Sequence, residues 1–151
     1  MTVGKSTVGR VLAQRLGLPF VDLDQRVEEL AGASVARIFD DRGEARFREL
    51  EAQAVGDLLA EPDAVVALGG GTLHHGDNLE RLRARYPIVV LDLPWEQLER
   101  RLQRQSQRPL AAQAHTLWTQ RRPLFARAGL TVDVTGLDPH AAADAVLAAL
   151  C

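Results

Sequence analysis

Cysteine is almost missing from this 151-residue chain: there is one, Cys151, at the last position. A single thiol excludes an intrachain disulfide and a cysteine-ligated metal cluster, and it fits a reducing compartment, so a cytoplasmic protein is expected. No apolar run approaches the ~18 residues that cross a bilayer. The N-terminus carries a lone lysine and then an amphipathic segment, not a signal-peptide pattern. An excess of one charge is also lacking. The net charge of −2 gives no general attraction to nucleic acid or to an anionic membrane, so neither is expected as a partner. Lysine is scarce, Lys5 being the only one among 18 Lys and Arg residues. Arginine suits bidentate recognition of carboxylate and phosphate, although a high genomic GC content produces the same bias. No repeat, low-complexity tract or linker interrupts the chain. What is present is ordinary: 46% hydrophobic and 25% charged residues, enough for a single domain, residues 1–151, with a real core.

Periodicity divides the chain into alternating helices and short apolar strands. Val8, Val11, Leu12 and Leu16 recur at helical spacing, and Gly17 follows as a stop signal. Leu18 to Asp22 reads as a short strand, and Gln25 to Ala31 as a helix ending at Gly32. Ser34 can cap a short helix through Phe39. Phe47, Leu50, Ala54 and Leu58 form the stripe of a longer helix from Glu44 to Ala60. Ala64 to Leu68 is a buried strand running into Gly69-Gly70-Gly71. Asn78 to Arg85 is helical, Pro87 to Leu93 a third strand, and Trp95 to Gln105 an arginine-rich helix. Thr116 to Ala128 reads as a helix interrupted or bent at Pro123. Leu130 to Val134 is a last strand and His140 to Leu150 a last helix. Strands that alternate with helices pair in parallel through right-handed crossovers, with helices on both faces. Ligands of such α/β sheets bind beyond the carboxyl ends of the strands, which is where the informative residues fall.

Gly4-Lys5-Ser6-Thr7 is the second half of a G-x-x-x-x-G-K-[ST] phosphate loop. Backbone N–H groups at a helix start face phosphate oxygens, and the helix dipole adds attraction. Lys5 would reach the β- and γ-phosphates of ATP, and the Ser6 hydroxyl would bind Mg²⁺. Four residues alone also fit an ordinary capped helix, but their position at the head of an amphipathic helix in an α/β chain favours the loop. The full motif needs a further glycine and a preceding strand, both of which would fall before residue 1. A parallel sheet without that central strand leaves buried N–H and C=O groups unpaired at ~1–3 kcal/mol each, against a total stability of only ~5–15 kcal/mol. The natural chain is therefore expected to begin about ten residues upstream, a strand's length.

Asp22-Leu23-Asp24 follows the second apolar segment. Alternate residues at a strand end point the same way, so both carboxylates are placed to face the phosphate loop. One could accept a proton from an attacking hydroxyl, and the other could orient Mg²⁺ through water. Asp24 could equally be an N-cap. Three consecutive glycines carry an entropic cost and let backbone come close to a ligand. Arg48, beside Phe47 at the edge of a buried face, and Arg121, in Gln120-Arg121-Arg122-Pro123-Leu124-Phe125, could clamp a carboxylate, though each alone reads as a surface arginine. Arg108-Pro109-Leu110 lies in a flexible stretch, about residues 105–116, suited to a lid that excludes water. The pair His74-His75 lacks further ligands and reads as no metal site. Trp95 and Trp118 read as helix packing residues, though Trp118 could cover part of the lid.

Taken in order, GKSTVGRVLA, FVDLD, GEARFRELE, ALGGGT, RPL and RRPLF resemble the shikimate kinase family from residue 4 to about residue 136. Each motif occurs in other P-loop kinases; the ordered set is specific. The resemblance implies a three-layer α/β/α, P-loop NTPase-like parallel sheet, with four strands here and the family's first strand missing. It implies transfer of the γ-phosphate of ATP to the 3-hydroxyl of shikimate in aromatic amino acid biosynthesis, with Mg²⁺ as cofactor. Gly4, Lys5, Ser6 and Thr7 would bind ATP, and Ser6 and Asp22, the latter through water, would hold Mg²⁺. Asp24 would contact the acceptor hydroxyls and orient or deprotonate the 3-hydroxyl. Arg48 and Arg121 would hold the carboxylate, and Gly70 would contact substrate through its backbone. Arg108 would be the lid arginine on the phosphates, and Arg101 would lie near the adenine. The partners implied are shikimate and ATP, with the protein a monomer. The segment between Arg108 and Arg121 is shorter than the usual lid, and Phe125 stands where the family often has tyrosine. Two other readings remain: another small-molecule P-loop kinase, such as a gluconate kinase, and a non-catalytic nucleotide-binding remnant.

Overall fold

The computed structural model describes residues 3–104 and 111–151. Their elements follow the order α1 (Lys5–Leu16), β1 (Phe20–Asp22), α2 (Leu23–Ala31), α3 (Val35–Ala60), β2 (Val65–Ala67), α4 (Asn78–Arg83), β3 (Val89–Asp92), α5 (Trp95–Arg104), α6 (Ala111–Ala128), β4 (Leu130–Asp133) and α7 (Pro139–Leu150). A single 3₁₀ turn, Thr72–His74, follows β2. The expected alternation of helices and strands is therefore present, and each expected strand appears in shortened form. None of the described helices is long and apolar enough to cross a membrane.

The chain divides into two compact units. One is continuous, residues 12–86; the other is discontinuous, residues 1–11 with 87–151. In the continuous unit β1 and β2 pair in parallel, Phe20 with Val65, Val21 with Val66 and Asp22 with Ala67. Two helices connect these strands, which is the crossover a parallel pair requires. The register ends both strands at one level, so the chain after Asp22 and the chain after Ala67 leave the sheet together. The core beneath is Leu23, Val27, Ile38, Ala54, Val55 and Leu58, each at most 1% exposed. Fully burying such a side chain contributes about 1.5–3 kcal/mol.

In the discontinuous unit β3 and β4 pair in parallel, from Val89 with Leu130 to Asp92 with Asp133. Leu93, Leu98, Val132, Val134, Ala143 and Val146 are buried around them. Among the described residues the four strands thus form two two-stranded ladders, one in each unit.

Local signals explain most element ends. Gly17 and Gly32 close α1 and α2 at φ 65 and φ 64, the left-handed conformation that glycine reaches without steric cost. The Ser34 hydroxyl accepts the Arg37 amide at 3.3 Å. The two helices expected around residues 34–60 run as α3, broken at Gly43 (φ 79, ψ 170). Phe39 and Phe47 meet across the break, ring centroids 4.7 Å apart. Of the interruption or bend expected near Pro123, the interruption is corrected: α6 continues through it to Ala128. Proline removes one backbone bond of the helix ladder, and Thr119, four residues earlier, turns its hydroxyl to the His115 carbonyl at 3.0 Å. Helix α6 also starts before Thr116, so residues 111–116 of the expected lid are helical, while residues 105–110 lie outside the described residues.

Gly129 is required for another reason. Leu130 starts β4 by donating to the Ile88 carbonyl at 2.9 Å, and a Cβ on Gly129 would sit against that carbonyl, 2.7 Å from its carbon and 2.9 Å from the Ile88 Cβ. Backbone cannot yield as a side chain does. Gly129→Ala is expected to cost about 3 kcal/mol. Gly56→Ala is the control: it meets only the tip of Arg81, at 3.2 Å, and in a helix interior alanine gains up to ~1 kcal/mol over glycine. Urea unfolding midpoints of the two variants check the contrast.

Candidate active site

The phosphate loop is built by one backbone angle. Gly4 has φ 91, a conformation that a residue with a Cβ rarely adopts, and its carbonyl accepts the Val8 amide at 2.9 Å. It is thus the residue from which α1 springs, and Lys5, Ser6 and Thr7 form the first turn. First-turn amides point out of the helix end, towards the position an anion would take. Arg101, on α5, donates from Nη1 to the Val3 carbonyl at 3.2 Å and so braces the backbone just before Gly4. The same α5–α6 region carries an aromatic cluster. Trp95 meets His115 edge-on at 4.7 Å and lies 5.8 Å from Trp118, which supports the packing role expected of both tryptophans.

At the end of β1 the expectation for the two aspartates is corrected. Helix α2 begins at Leu23, so the strand's alternation does not extend to Asp24. The N-cap is Asp22, not Asp24: Asp22 Oδ1 accepts the amides of Asp24 at 3.1 Å and Gln25 at 3.4 Å. Asp24 is instead a first-turn residue of α2. Its carboxylate lies beside Gly69, where a Cβ would come within 2.7 Å of Asp24 Oδ1 and 3.2 Å of Thr72 Oγ1. A side chain at Gly69 would therefore push Asp24 aside. Gly70 lies in the same turn, which closes with the Thr72 amide on the Gly69 carbonyl at 3.2 Å.

Thr72 carries the turn to a third motif. Its hydroxyl donates to Glu51 Oε2 at 2.8 Å, and the other carboxylate oxygen of Glu51 accepts Arg48 Nη1 at 2.9 Å. The Glu51 side chain is 2% exposed. A buried carboxylate is tolerable only when paired and hydrogen-bonded, and here each oxygen has its own partner. Arg48 is held further by Glu44, at 3.4 Å, and by the Phe47 ring, 5.0 Å beneath its guanidinium. Its Nε is buried without a hydrogen-bond partner among the described residues. Asn78 completes the set, donating to the Thr72 carbonyl at 3.1 Å. Asp24, the glycine turn and Arg48, three separate sequence motifs, are thus brought together inside the continuous unit.

Arg121 belongs to the other unit, on α6 beside Arg122, which lies over the Trp118 ring at 4.6 Å and reaches Asp92 at 3.6 Å. Arg108 is outside the described residues. Sequence reasoning missed Gly69, Glu51, Thr72 and Asn78. For Glu51 a signal existed: it sits four residues after Phe47 and three before Ala54, a charge on the apolar stripe. As for a metal, no group of three or more His, Cys, Asp or Glu among the described residues is placed to hold an ion. The Ser6 hydroxyl and the Asp22 carboxylate are oxygen donors of the hard type that Mg²⁺ takes, one or two at a time, together with nucleotide phosphates.

Comparison with known proteins gives the family and the fold. The shikimate kinase family model matches residues 1–151. A shikimate kinase of Xanthomonas campestris pv. campestris (strain 8004) is 40% identical over 146 residues, covering 92% of this chain and 81% of that protein. The crystal structure of shikimate kinase from Aquifex aeolicus superposes with a TM-score of 0.88 at 32% identity, over 99% of this chain and 91% of that one. Shikimate kinase from Acinetobacter baumannii in complex with shikimate gives 0.83 at 33% identity, over 98% and 85%. The α/β arrangement is therefore that of P-loop kinases, and the chain belongs to the shikimate kinase family.

Proposed function

We infer that this protein transfers the γ-phosphoryl group of ATP to the 3-hydroxyl of shikimate, giving shikimate 3-phosphate and ADP on the route to chorismate and the aromatic amino acids. The observation that carries the reading is the bonded path from the glycine turn beside Asp24, through Thr72 and Glu51, to Arg48. It supports an acceptor site that combines a proton acceptor with a carboxylate-binding cation, a combination that a kinase for an uncharged sugar does not need.

In the reaction the amides of Gly4 to Thr7 and the Lys5 ammonium hold the phosphates of ATP. Arg48 and Arg121 fix the acceptor's carboxylate, and the Gly70 backbone lies along the acceptor. Asp24 takes the proton of the 3-hydroxyl as its oxygen attacks the γ-phosphorus. The bond to the β–γ bridging oxygen breaks, and ADP leaves with that electron pair. Arg108 neutralises phosphate charge. Mg²⁺, held by Ser6 and through water by Asp22, would spread the charge of the triphosphate. The same reading makes the enzyme a cytoplasmic monomer with small-molecule partners.

Arg48→Ala is expected to raise the shikimate KM about fiftyfold, as loss of a charged clamp of ~2–5 kcal/mol allows, with the ATP KM changed less than twofold. Coupled ADP release with shikimate and with gluconate as acceptors measures this. Equal losses for shikimate and ATP would count against the clamp, and turnover of gluconate alone would favour the other kinase class.

A further inference from the structure

The path from Thr72 to Arg48 has a role beyond holding the fold. Arg48 reaches its place from α3, and the glycine turn reaches its place from the end of β2. Nothing in either element fixes the distance between a guanidinium and a turn 21 or more residues away. Two hydrogen bonds do so: Thr72 Oγ1 to Glu51 Oε2 at 2.8 Å, and Glu51 Oε1 to Arg48 Nη1 at 2.9 Å. All the intermediate groups are shut off from water. Thr72 is 0%, Glu51 1% and Asn78 2% exposed, so water cannot replace a lost bond without moving something. Thr72 is itself immobilised from both sides, its amide on Gly69 and its carbonyl on Asn78.

We propose that Thr72 is a positioning residue for the acceptor site: acting through Glu51, it holds the Arg48 guanidinium at a set distance from the Gly69–Gly71 turn and Asp24, and so sets the spacing between carboxylate and reactive hydroxyl that the acceptor must have. The proposal rests on the reading that Arg48 receives the acceptor's carboxylate. Thr72 touches no substrate. Its effect falls on how well the two ends of the acceptor are matched, and therefore on the shikimate KM before the chemical step.

The test is steady-state kinetics on Thr72→Val, which keeps the shape and removes the hydroxyl, and Thr72→Ser, which keeps the hydroxyl. Arg48→Lys and the double variant Thr72→Val/Arg48→Lys complete a cycle. Thr72→Val is expected to raise the shikimate KM about tenfold, worth about 1.4 kcal/mol, with the ATP KM within twofold of the parent. Thr72→Ser is expected to restore the shikimate KM to within about twofold, and the two changes in the double variant are expected to fall well short of adding. If valine prevents folding, Thr72→Ala takes its place with the same outcomes. A shikimate KM unchanged by loss of the hydroxyl, while Arg48→Lys raises it, overturns the proposal and leaves the Arg48 reading standing. A lower melting temperature with an unaltered shikimate KM is the purely structural result and overturns it as well. No effect of Arg48→Lys on the shikimate KM overturns the clamp reading, and the proposal with it.

Discussion

Asp24→Asn is expected to lower kcat about a thousandfold, within the range that a positioned general base contributes. The change is chosen for its size. Asparagine has the outline of aspartate, so it fits the space that Gly69 leaves, where a Cβ would stand 2.7 Å from Asp24 Oδ1. The amide oxygen still accepts a hydrogen bond from the acceptor's hydroxyl, so the shikimate KM should move little. What is lost is the ability to take the proton. Initial rates at saturating ATP and shikimate, with an unchanged melting temperature as the control, test the assignment. A kcat within tenfold of the parent would show that Asp24 orients the hydroxyl and that the proton leaves by another path.

Lys5→Met is expected to lower kcat/KM for ATP by a similar factor. It removes a charge from the phosphates, and losing one such stabilising group costs about 10²–10³ in rate. Methionine keeps most of the stem and is a good helix former, so the first turn of α1 should persist. Lys5→Arg should not rescue, because a planar guanidinium does not replace a compact ammonium in a loop that closes around phosphate. Nucleotide titration by calorimetry separates the contributions, since a ground-state loss appears in Kd and a transition-state loss only in kcat. Full activity of Lys5→Met would remove Lys5 from the reaction, and full activity of Lys5→Arg would show that any cation serves there.

Much of this was legible in the residues. Gly17, Gly32 and Ser34 marked element ends because each acts through its own backbone or on an amide within five residues. The apolar stripe of Phe47, Leu50, Ala54 and Leu58 located the buried face of α3 for the same reason. The motif order was sufficient for the family. The rest depends on distance. Periodicity says that a residue is buried, not what it meets, so Glu51 stood on a buried stripe with no sign of Thr72, its partner 21 positions on. The close approach of Gly69 to Asp24 could not be read from the triplet, because it depends on where Asp24 comes to rest. The reading of Asp22 and Asp24 assumed that the strand continued, whereas the capping bond of Asp22 starts a helix there and turns Asp24 onto a new axis. At Pro123 the local rule was correct about the lost bond, but one missing bond does not interrupt an 18-residue helix.

The scarcity of lysine becomes useful once its place is known. The one side-chain amine stands in the first turn of α1, and the one thiol, exposed at Cys151, follows the last turn of α7. In the role proposed for Lys5, acylation of its side chain would fall on the nucleotide grip, and ATP should shield it. Maleimide chemistry offers a second address that leaves Lys5 untouched. A preparation tethered through sulfur should keep turning over on a chip, whereas one tethered through a lysine amide should fall silent.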